Sequence, residues 1–484
     1  MKVLAAMSGG VDSAMAAALA VEAGHDVTGV HMALLRNRAL FREGSRGCCS
    51  IEDALDARRV ADKMGIPFYV WDLSEEFADL VVQDFLTEYA AGRTPNPCIR
   101  CNEHVKFAVL ANRAQTLGFD AVATGHYARI IARHDDSARI IRPSVEPVET
   151  TDRQHSPRII APGGFETAAL WRLNHPDTSN DPDGGWLSAV ELHRARNLAK
   201  DQSYVLAVAG PERLAHAYFP LGEFATKDEV RAGAAARNLP VSSKPDSYDI
   251  CFIADGDTRG FLRERLGIQP GLIVDIDGNS VGEHDGAYQF TVGQRKGLAL
   301  GNPAKDGEPR YVVRTDPITN TVIVGKKADL IVTSITATDP VWYISPDSDN
   351  RIVGLEDNRA KDGSIAPAQA VNPTEPANNP AEGVAENRRG GLAAVAGWSQ
   401  GETSPPNRPI PVNIQVRAHG REVPAWLISN ADGTVRFDLR GDVLKGIAAG
   451  QSVVAYQGTR VVAQATVSLA SSERQRDGCS SRAA

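Results

Sequence analysis

Long apolar runs are missing from this chain of 484 residues, and so are an abundance of cysteine and an excess of positive charge. No apolar stretch reaches the ~18 residues a transmembrane helix needs, so no membrane span is expected. The N-terminus carries no cleavable leader pattern, and a strand pattern starts within two residues of Met1; a cytoplasmic protein is expected. The six cysteines are Cys48, Cys49, Cys98, Cys101, Cys251 and Cys479. They are too few and too scattered for a secreted disulfide framework, and in a reducing compartment they are expected to be catalytic, metal-binding or buried. The net charge of −8 argues against a uniformly basic nucleic-acid binder.

That charge is unevenly spread. Ser345 to Asn387 holds eight acids against three bases, which leaves the remainder nearly neutral and able to carry a local basic face. The wider stretch from Ser345 to Pro411 holds nine of the 28 prolines and reads as a disordered loop. His134 to Leu187 is rich in Asp, Pro, Ser and Thr without a sustained period and reads as a surface insertion. Ser471 to Ala484 is a polar tail.

Between these segments the pattern changes twice. The first ~130 residues alternate strands and helices, which implies a doubly wound parallel sheet. Strands are expected at Val3–Met7, Asp26–Met32, Pro67–Leu73 and Asp120–Ala123. Helices are expected at Ala14–Ala23, Ser50–Met64, Glu75–Tyr89 and Lys106–Leu117, and again around Leu192–Ala209. From Phe261 to Val324 short strands and Gly turns suggest a small, mostly β domain, with one strand placed at Ala287–Val292. Val412 to Val467 returns to alternating strands and reads as a small β-barrel. The expected division is 1–260, 261–324 and 325–470.

Ser8-Gly9-Gly10-Val11-Asp12-Ser13 follows the first strand and opens the first helix. The glycines let backbone N–H groups approach an anion, and the helix N-terminus adds its positive end. Ser8 and Ser13 offer hydroxyls, while Asp12 can cap the helix or bind a cation on a phosphate. No Gly-Lys-Ser/Thr follows, so the loop is not a Walker A loop. It resembles the phosphate loop of the PP-loop ATP pyrophosphatases. Ligands on such sheets bind beyond the carboxyl ends of the strands, so the loops after Met7, Met32 and Ala123 should share a crevice.

Two cysteine stretches follow. Thr94-Pro95-Asn96-Pro97-Cys98-Ile99-Arg100-Cys101-Asn102 reads as a proline-stiffened loop with a CxxC pair. Arg93, Arg100 and Lys106 flank it, and nearby cations favour thiolate. A reactive cysteine, a redox pair, and half of a metal site shared with Cys48-Cys49 all remain open. Cys251 sits between Ile250 and Phe252, and on those neighbours alone it reads as a buried strand cysteine.

The order of SGGVDS, TPNPCIRCN, Thr124-Gly125-His126-Tyr127, Lys200-Asp201-Gln202-Ser203-Tyr204, Asp249-Ile250-Cys251-Phe252-Ile253 and Gly293-Gln294-Arg295-Lys296-Gly297 resembles the MnmA-type tRNA-specific 2-thiouridylases. The resemblance covers the chain apart from the two insertions and the tail. It implies ATP bound by Ala6, Met7, Ser8, Gly9, Gly10, Val11, Asp12 and Ser13, with Met32 and Gly125 as further contacts. Mg²⁺ is implied as the partner of the pyrophosphate. Cys101 matches the family nucleophile and Cys251 the persulfide carrier, with a relay protein as sulfur donor and a transient Cys101–Cys251 disulfide. For tRNA it implies Asn96, Pro97, Cys98, His126, Lys200, Asp201, Gln202, Arg417, Ala418 and Gln451. On composition alone Lys200 to Gln202 is a solvated helix start and His126 a structural histidine. The family commonly has Asp at Cys98 and an aromatic at Ala418, so this chain departs at both. The Cys98 departure keeps a cysteine-bound metal or cluster open. A monomer is expected.

Overall fold

Lys2–Ala6 (β1) is apolar and buried at every position but the first. A run of that kind can be buried on both faces only at the centre of a parallel sheet. The computed structural model describes residues 1–35, 51–132, 190–246, 250–253, 256–298, 300, 306–344 and 409–471. In it β1 lies between Asp26–Ala33 (β2) and Ala121–Ala123 (β4). Phe68–Asp72 (β3) pairs with β2 at one edge, and Ala217–Tyr218 pairs with β4 at the other; all pairings are parallel. The chain therefore crosses from one side of β1 to the other between β3 and β4. Beyond the carboxyl ends of β1 and β4 this leaves a crevice. The alanine-rich helix Val11–Glu22 (α1) and the helix Ile51–Met64 (α2) cover one face, their small side chains allowing close packing.

The cysteine segment departs from its expected form. It is not a loop: Asn96 caps a helix, its Oδ1 accepting the Cys98 N–H at 3.0 Å, and Pro97 takes the first helical position. Proline suits that position because its missing N–H would have no helical partner anyway. The helix continues through Cys101–Leu110 with wide π turns and then Ala111–Thr116. A π segment also interrupts the neighbouring helix at Ala78–Val82. Single π turns are rare and concentrate at functional sites.

A second departure concerns Leu192. The expected helix there starts instead as a strand, Val190–Arg194, paired antiparallel with Ala128–Ala132. Its alternating burial is the period-two pattern of a strand. This hairpin leaves the parallel sheet and joins the C-terminal sheet through Arg460 and His193. Helical turns begin only at Ser203.

The central region forms a four-stranded sheet from Gly271–Asp275, Ser280–His284, Tyr311–Asp316 and Thr321–Gly325. The strand expected at Ala287–Val292 is a short 3₁₀ turn over Ala287–Gln289. The helices Lys227–Ala236 and Thr258–Leu266 were not anticipated. The C-terminal region is a closed six-stranded barrel. Ser334–Trp342 pairs with Val435–Leu439 on one side and Arg460–Ser471 on the other, which closes the ring. Closure removes the exposed strand edges of an all-β unit. The expected insertions at 134–187 and 345–411 and the tail lie almost entirely outside the described residues, as do Cys48, Cys49 and Cys479.

Candidate functional site

The phosphate loop begins where β1 ends. Gly9 has φ +78°, and a Cβ there would strike the Asp53 carbonyl of α2. Only glycine combines that turn with that approach. Gly10 caps α1 without any side-chain hydrogen bond to the helix, so the first N–H groups of a twelve-residue helix face the crevice. Ser13 Oγ donates to the Gly10 carbonyl at 3.0 Å and accepts the Ser8 N–H at 3.1 Å, which fixes the loop. The Ser8 and Ser13 hydroxyls lie 3.2 Å apart. Ala6, Met7 and Val11 are buried and act as packing around the loop.

Asp12 already has partners. Lys227 Nζ donates to both its carboxylate oxygens at 2.6 Å, and Tyr127 Oη donates to Oδ1 at 2.8 Å. Burial and then the Asp12 charge push the Tyr127 hydroxyl far above its ordinary pKa, so it remains a donor. Gly125 completes the wall: a Cβ there would lie 2.6 Å from the Ser13 nitrogen. Lys227 also reaches Asp246 at 3.1 Å, and Asp246 pairs with Lys200 at 3.0 Å and Arg231 at 2.8 Å. Burial opposes the Asp246 charge, but the hydrogen bonds from Lys200 and Lys227 outweigh it and hold the carboxyl below its ordinary value. Sequence reasoning missed Lys227, Tyr127 and Asp246 as site residues. Tyr127 lay within a quoted motif, but nothing local marked the other two.

Cys101 and Cys251 meet in one apolar cluster despite their sequence separation. Cys101 is buried there among Phe77, Phe85, Val105 and Phe252, and Cys251 packs at its margin. Met32, at the end of β2, packs against this cluster and also against the one holding Ala6. Met32 thus packs between the cluster at the end of β1 and the cluster that holds Cys101. Cys98 is exposed one helical turn before Cys101. Two of the flanking cations also pair with carboxylates. Arg93 pairs with Glu88, and Arg100 pairs with Glu103 at 2.9 Å and Asp84 at 3.4 Å. Among the described residues, no three metal-ligating side chains gather.

The residues matched to tRNA contacts fall into linked groups. Asp201 is buried and accepts from Arg194, the Ala195 N–H and Ser203. That places its carboxylate inside the protein and away from an RNA surface. Arg194 in turn donates to Gln415, whose amide donates to the carbonyls of Arg417 and Ala418, each at 2.8 Å. A buried chain of hydrogen bonds therefore fixes the Lys200 segment relative to Arg417 and Ala418. Gln202 exchanges hydrogen bonds with the Tyr127 backbone, which ties the same segment to the phosphate crevice. Arg417 is exposed and donates to the Gly446 carbonyl. Gln451 accepts the Ala448 N–H at 3.1 Å. Pro97 is buried, and the Asn96 side chain is engaged in capping. His126 is buried against Phe107 and Phe219, with Thr124 Oγ1 2.7 Å from Nδ1. Burial, aided by Lys106, pushes its pKa well below the ordinary 6.5, so the ring is neutral at neutral pH.

Three family models match the chain in succession. Residues 1–151 and 186–255 match the model described as the tRNA methyl transferase HUP domain. Residues 259–326 match the tRNA methyl transferase PRC-barrel domain, and 393–467 the aminomethyltransferase beta-barrel domain. A protein of Beutenbergia cavernae named tRNA-specific 2-thiouridylase MnmA is 51% identical over 96% of this chain and 94% of its own length. The chain belongs to the MnmA family. Its MnmA relatives in Clavibacter sepedonicus and Streptomyces avermitilis are 45% and 46% identical, each over 96% of this chain and over 91% and 94% of their own lengths. An α/β domain on a parallel sheet, a mostly β central region and a C-terminal barrel is thus the architecture of an MnmA chain. No helix among its described residues is long and apolar enough to cross a membrane.

Proposed function

We propose that this protein is an ATP-dependent tRNA-uridine 2-sulfurtransferase that acts on the wobble uridine. The observation that carries the reading is a conjunction: an uncapped helix N-terminus on a Gly-Gly loop, and one apolar cluster that holds Cys101 and has Cys251 and Met32 packed against it. A helix end of that kind holds phosphate, and two neighbouring thiols exchange sulfur.

ATP is bound by Ala6 to Ser13, with Met32 and Gly125 at the nucleotide. The uncapped N–H groups at the start of α1 fit a phosphate group. Asp12 is the carboxylate best placed to reach a magnesium ion, which would neutralise the departing diphosphate. The uridine O2 attacks the α-phosphorus, forming an adenylate and releasing diphosphate. A relay protein loads Cys251 with a terminal sulfur. The Cys101 thiolate attacks the Cys251 sulfur, closing a disulfide and expelling hydrosulfide. Hydrosulfide adds at C2 of the activated uridine and AMP leaves. A thiol reductant reopens the disulfide for the next turnover. Alternatively, the persulfide attacks C2 directly and Cys101 then resolves the link.

The wobble base must leave the anticodon stack to enter the crevice. Lys200, Gln202, Arg417, Ala418, Gln451 and the exposed Cys98 face this task, and Asp201 fixes their frame. Neutral His126 can only hydrogen-bond near the base. The protein works as a cytoplasmic monomer, with residues 1–260 activating ATP and the 261–324 and 325–470 regions holding RNA.

The test is nucleoside mass analysis after incubation with unmodified tRNA, ATP, magnesium and sulfide. The reading requires 2-thiouridine at the wobble position with matching AMP. ATP-bound protein that yields no thiolated nucleoside would overturn it.

A further inference from the structure

Four side chains form an unbroken line of alternating charge. Lys200 lies 3.0 Å from Asp246, Asp246 lies 3.1 Å from Lys227, and Lys227 lies 2.6 Å from Asp12. One end is the cation matched to RNA; the other is the carboxylate of the phosphate loop. Asp246 is the junction and lies just upstream of Cys251. The chain is partly shielded from water: the Lys227 and Asp246 side chains are 12% and 15% exposed, whereas Lys200 is 37% exposed. Shielded pairs feel each other's charge more strongly than surface pairs do.

Asp246 has few oxygens to divide among Lys200, Lys227 and Arg231. When one cation leaves, the others are held more firmly. We propose that Asp246 couples RNA binding to ATP binding. A tRNA phosphate that engages Lys200 draws it off Asp246. Asp246 then holds Lys227 more strongly, and Lys227 releases its grip on Asp12. Asp12 becomes available to the magnesium–ATP complex. In the absence of RNA, Lys227 keeps Asp12 occupied and ATP binding weak. Asp246 and Lys227 act here as positioning residues, and the inference rests on Lys200 being an RNA contact.

Coupling between two sites is reciprocal and read as a ratio of affinities. The experiment measures the Kd of a non-hydrolysable ATP analogue with magnesium, with and without saturating tRNA. In the unaltered protein tRNA should tighten the analogue about fivefold or more. Asp246→Asn keeps the size and removes the charge; its ratio should fall to within about twofold of unity. Lys227→Gln breaks the line on the other side and should do the same, which keeps the test open if Asp246→Asn folds poorly. An unaltered protein with no tRNA effect, or an Asp246→Asn protein that folds and keeps the full ratio, would overturn the coupling. Lys200→Ala separates the two readings. If it leaves tRNA affinity unchanged, Lys200 is not an RNA contact; if it weakens tRNA while Asp246→Asn still couples, the contact stands and the relay fails.

Discussion

The backbone N–H of Thr94 donates to the carbonyl of Ala449 at 2.8 Å. This single bond ties the segment that leads into the CxxC helix to a loop of the C-terminal barrel. Next to it, Gly450 has φ +84°, and a Cβ there would lie 2.8 Å from the Arg93 Cβ and 3.1 Å from the Thr94 nitrogen. A cavity of about 20 Å³ remains between Asn96, Ile99, Gly450 and Ser452, enough for about one water molecule.

Gly450→Ala should therefore separate these two surfaces. Alanine is strained at that φ and collides with backbone, so about 1–2 kcal/mol of stability should be lost. Thiolation should fall further than ATP binding does, because the nearest atoms a Cβ would meet belong to Arg93, Thr94 and Glu88, on the approach to the CxxC helix. Chemical denaturation and ATP titration on the same preparation check both.

Asp12→Ala should leave the fold intact, since Asp12 is partly exposed at the start of α1. Adenylation should drop about a hundredfold or more, the scale of losing a group aimed at developing charge. Isotope exchange between diphosphate and ATP in the presence of tRNA is the readout. Exchange at the unaltered rate would remove Asp12 from the chemistry.

Lys200→Ala and Arg417→Ala should each weaken tRNA binding and reduce the salt slope by about one contact. Asp201→Ala should behave differently. It removes the buried one of the two carboxylates that pair with Arg194, leaving Glu422 at 2.8 Å, so about 1–3 kcal/mol of stability is at stake. Its effect on the salt slope of the remaining folded protein should be small. Binding isotherms across a range of salt, beside melting curves, distinguish the two behaviours.

Much of this arrangement is legible in the sequence. Gly9 and Gly10 sit between a strand and a helix, and local pattern suffices to place the sharp turn and the uncapped helix start there. The nature of the CxxC segment was not legible from its prolines, because Pro97 at a first helical position looks the same as a proline in a loop. The pattern from Leu192 reads as helix because its apolar residues adjoin a real helical stretch, while the partners of the strand Val190–Arg194 lie elsewhere in the chain. Lys227 and Asp246 left no local trace. A lysine opening a helix after a Thr cap is ordinary, and its ion pair with Asp12 spans 215 residues. The meeting of Cys101 with Cys251 was implied by family resemblance and not by any spacing.

His126 gives the protein a defined acid sensitivity. Its folded pKa is depressed by burial below the ordinary 6.5. Below about pH 6.5 the unfolded chain takes up a proton that the folded ring refuses, so stability falls as pH drops and is fully present above it. His25 and His284 are depressed by burial too and add to the same slope. His126→Gln should flatten the decline in melting temperature between about pH 7.5 and about pH 5.5. A slope unchanged by the substitution would place the sensitivity elsewhere.

The sulfur relay is the central claim, and intact mass measurement of Cys101→Ser tests it most directly. Cys251 should accept sulfur from a persulfide donor in this variant, since nothing in loading needs Cys101. With tRNA and ATP added and free sulfide excluded, the added sulfur should stay on Cys251, because serine cannot exchange with a persulfide. Cys251→Ser should gain no sulfur, and Cys98→Ser should load sulfur as the unaltered protein does and keep substantial discharge to tRNA. The account predicts a Cys101→Ser protein that holds its extra sulfur atom while tRNA remains unthiolated. Loss of that sulfur into 2-thiouridine at the unaltered rate would contradict it.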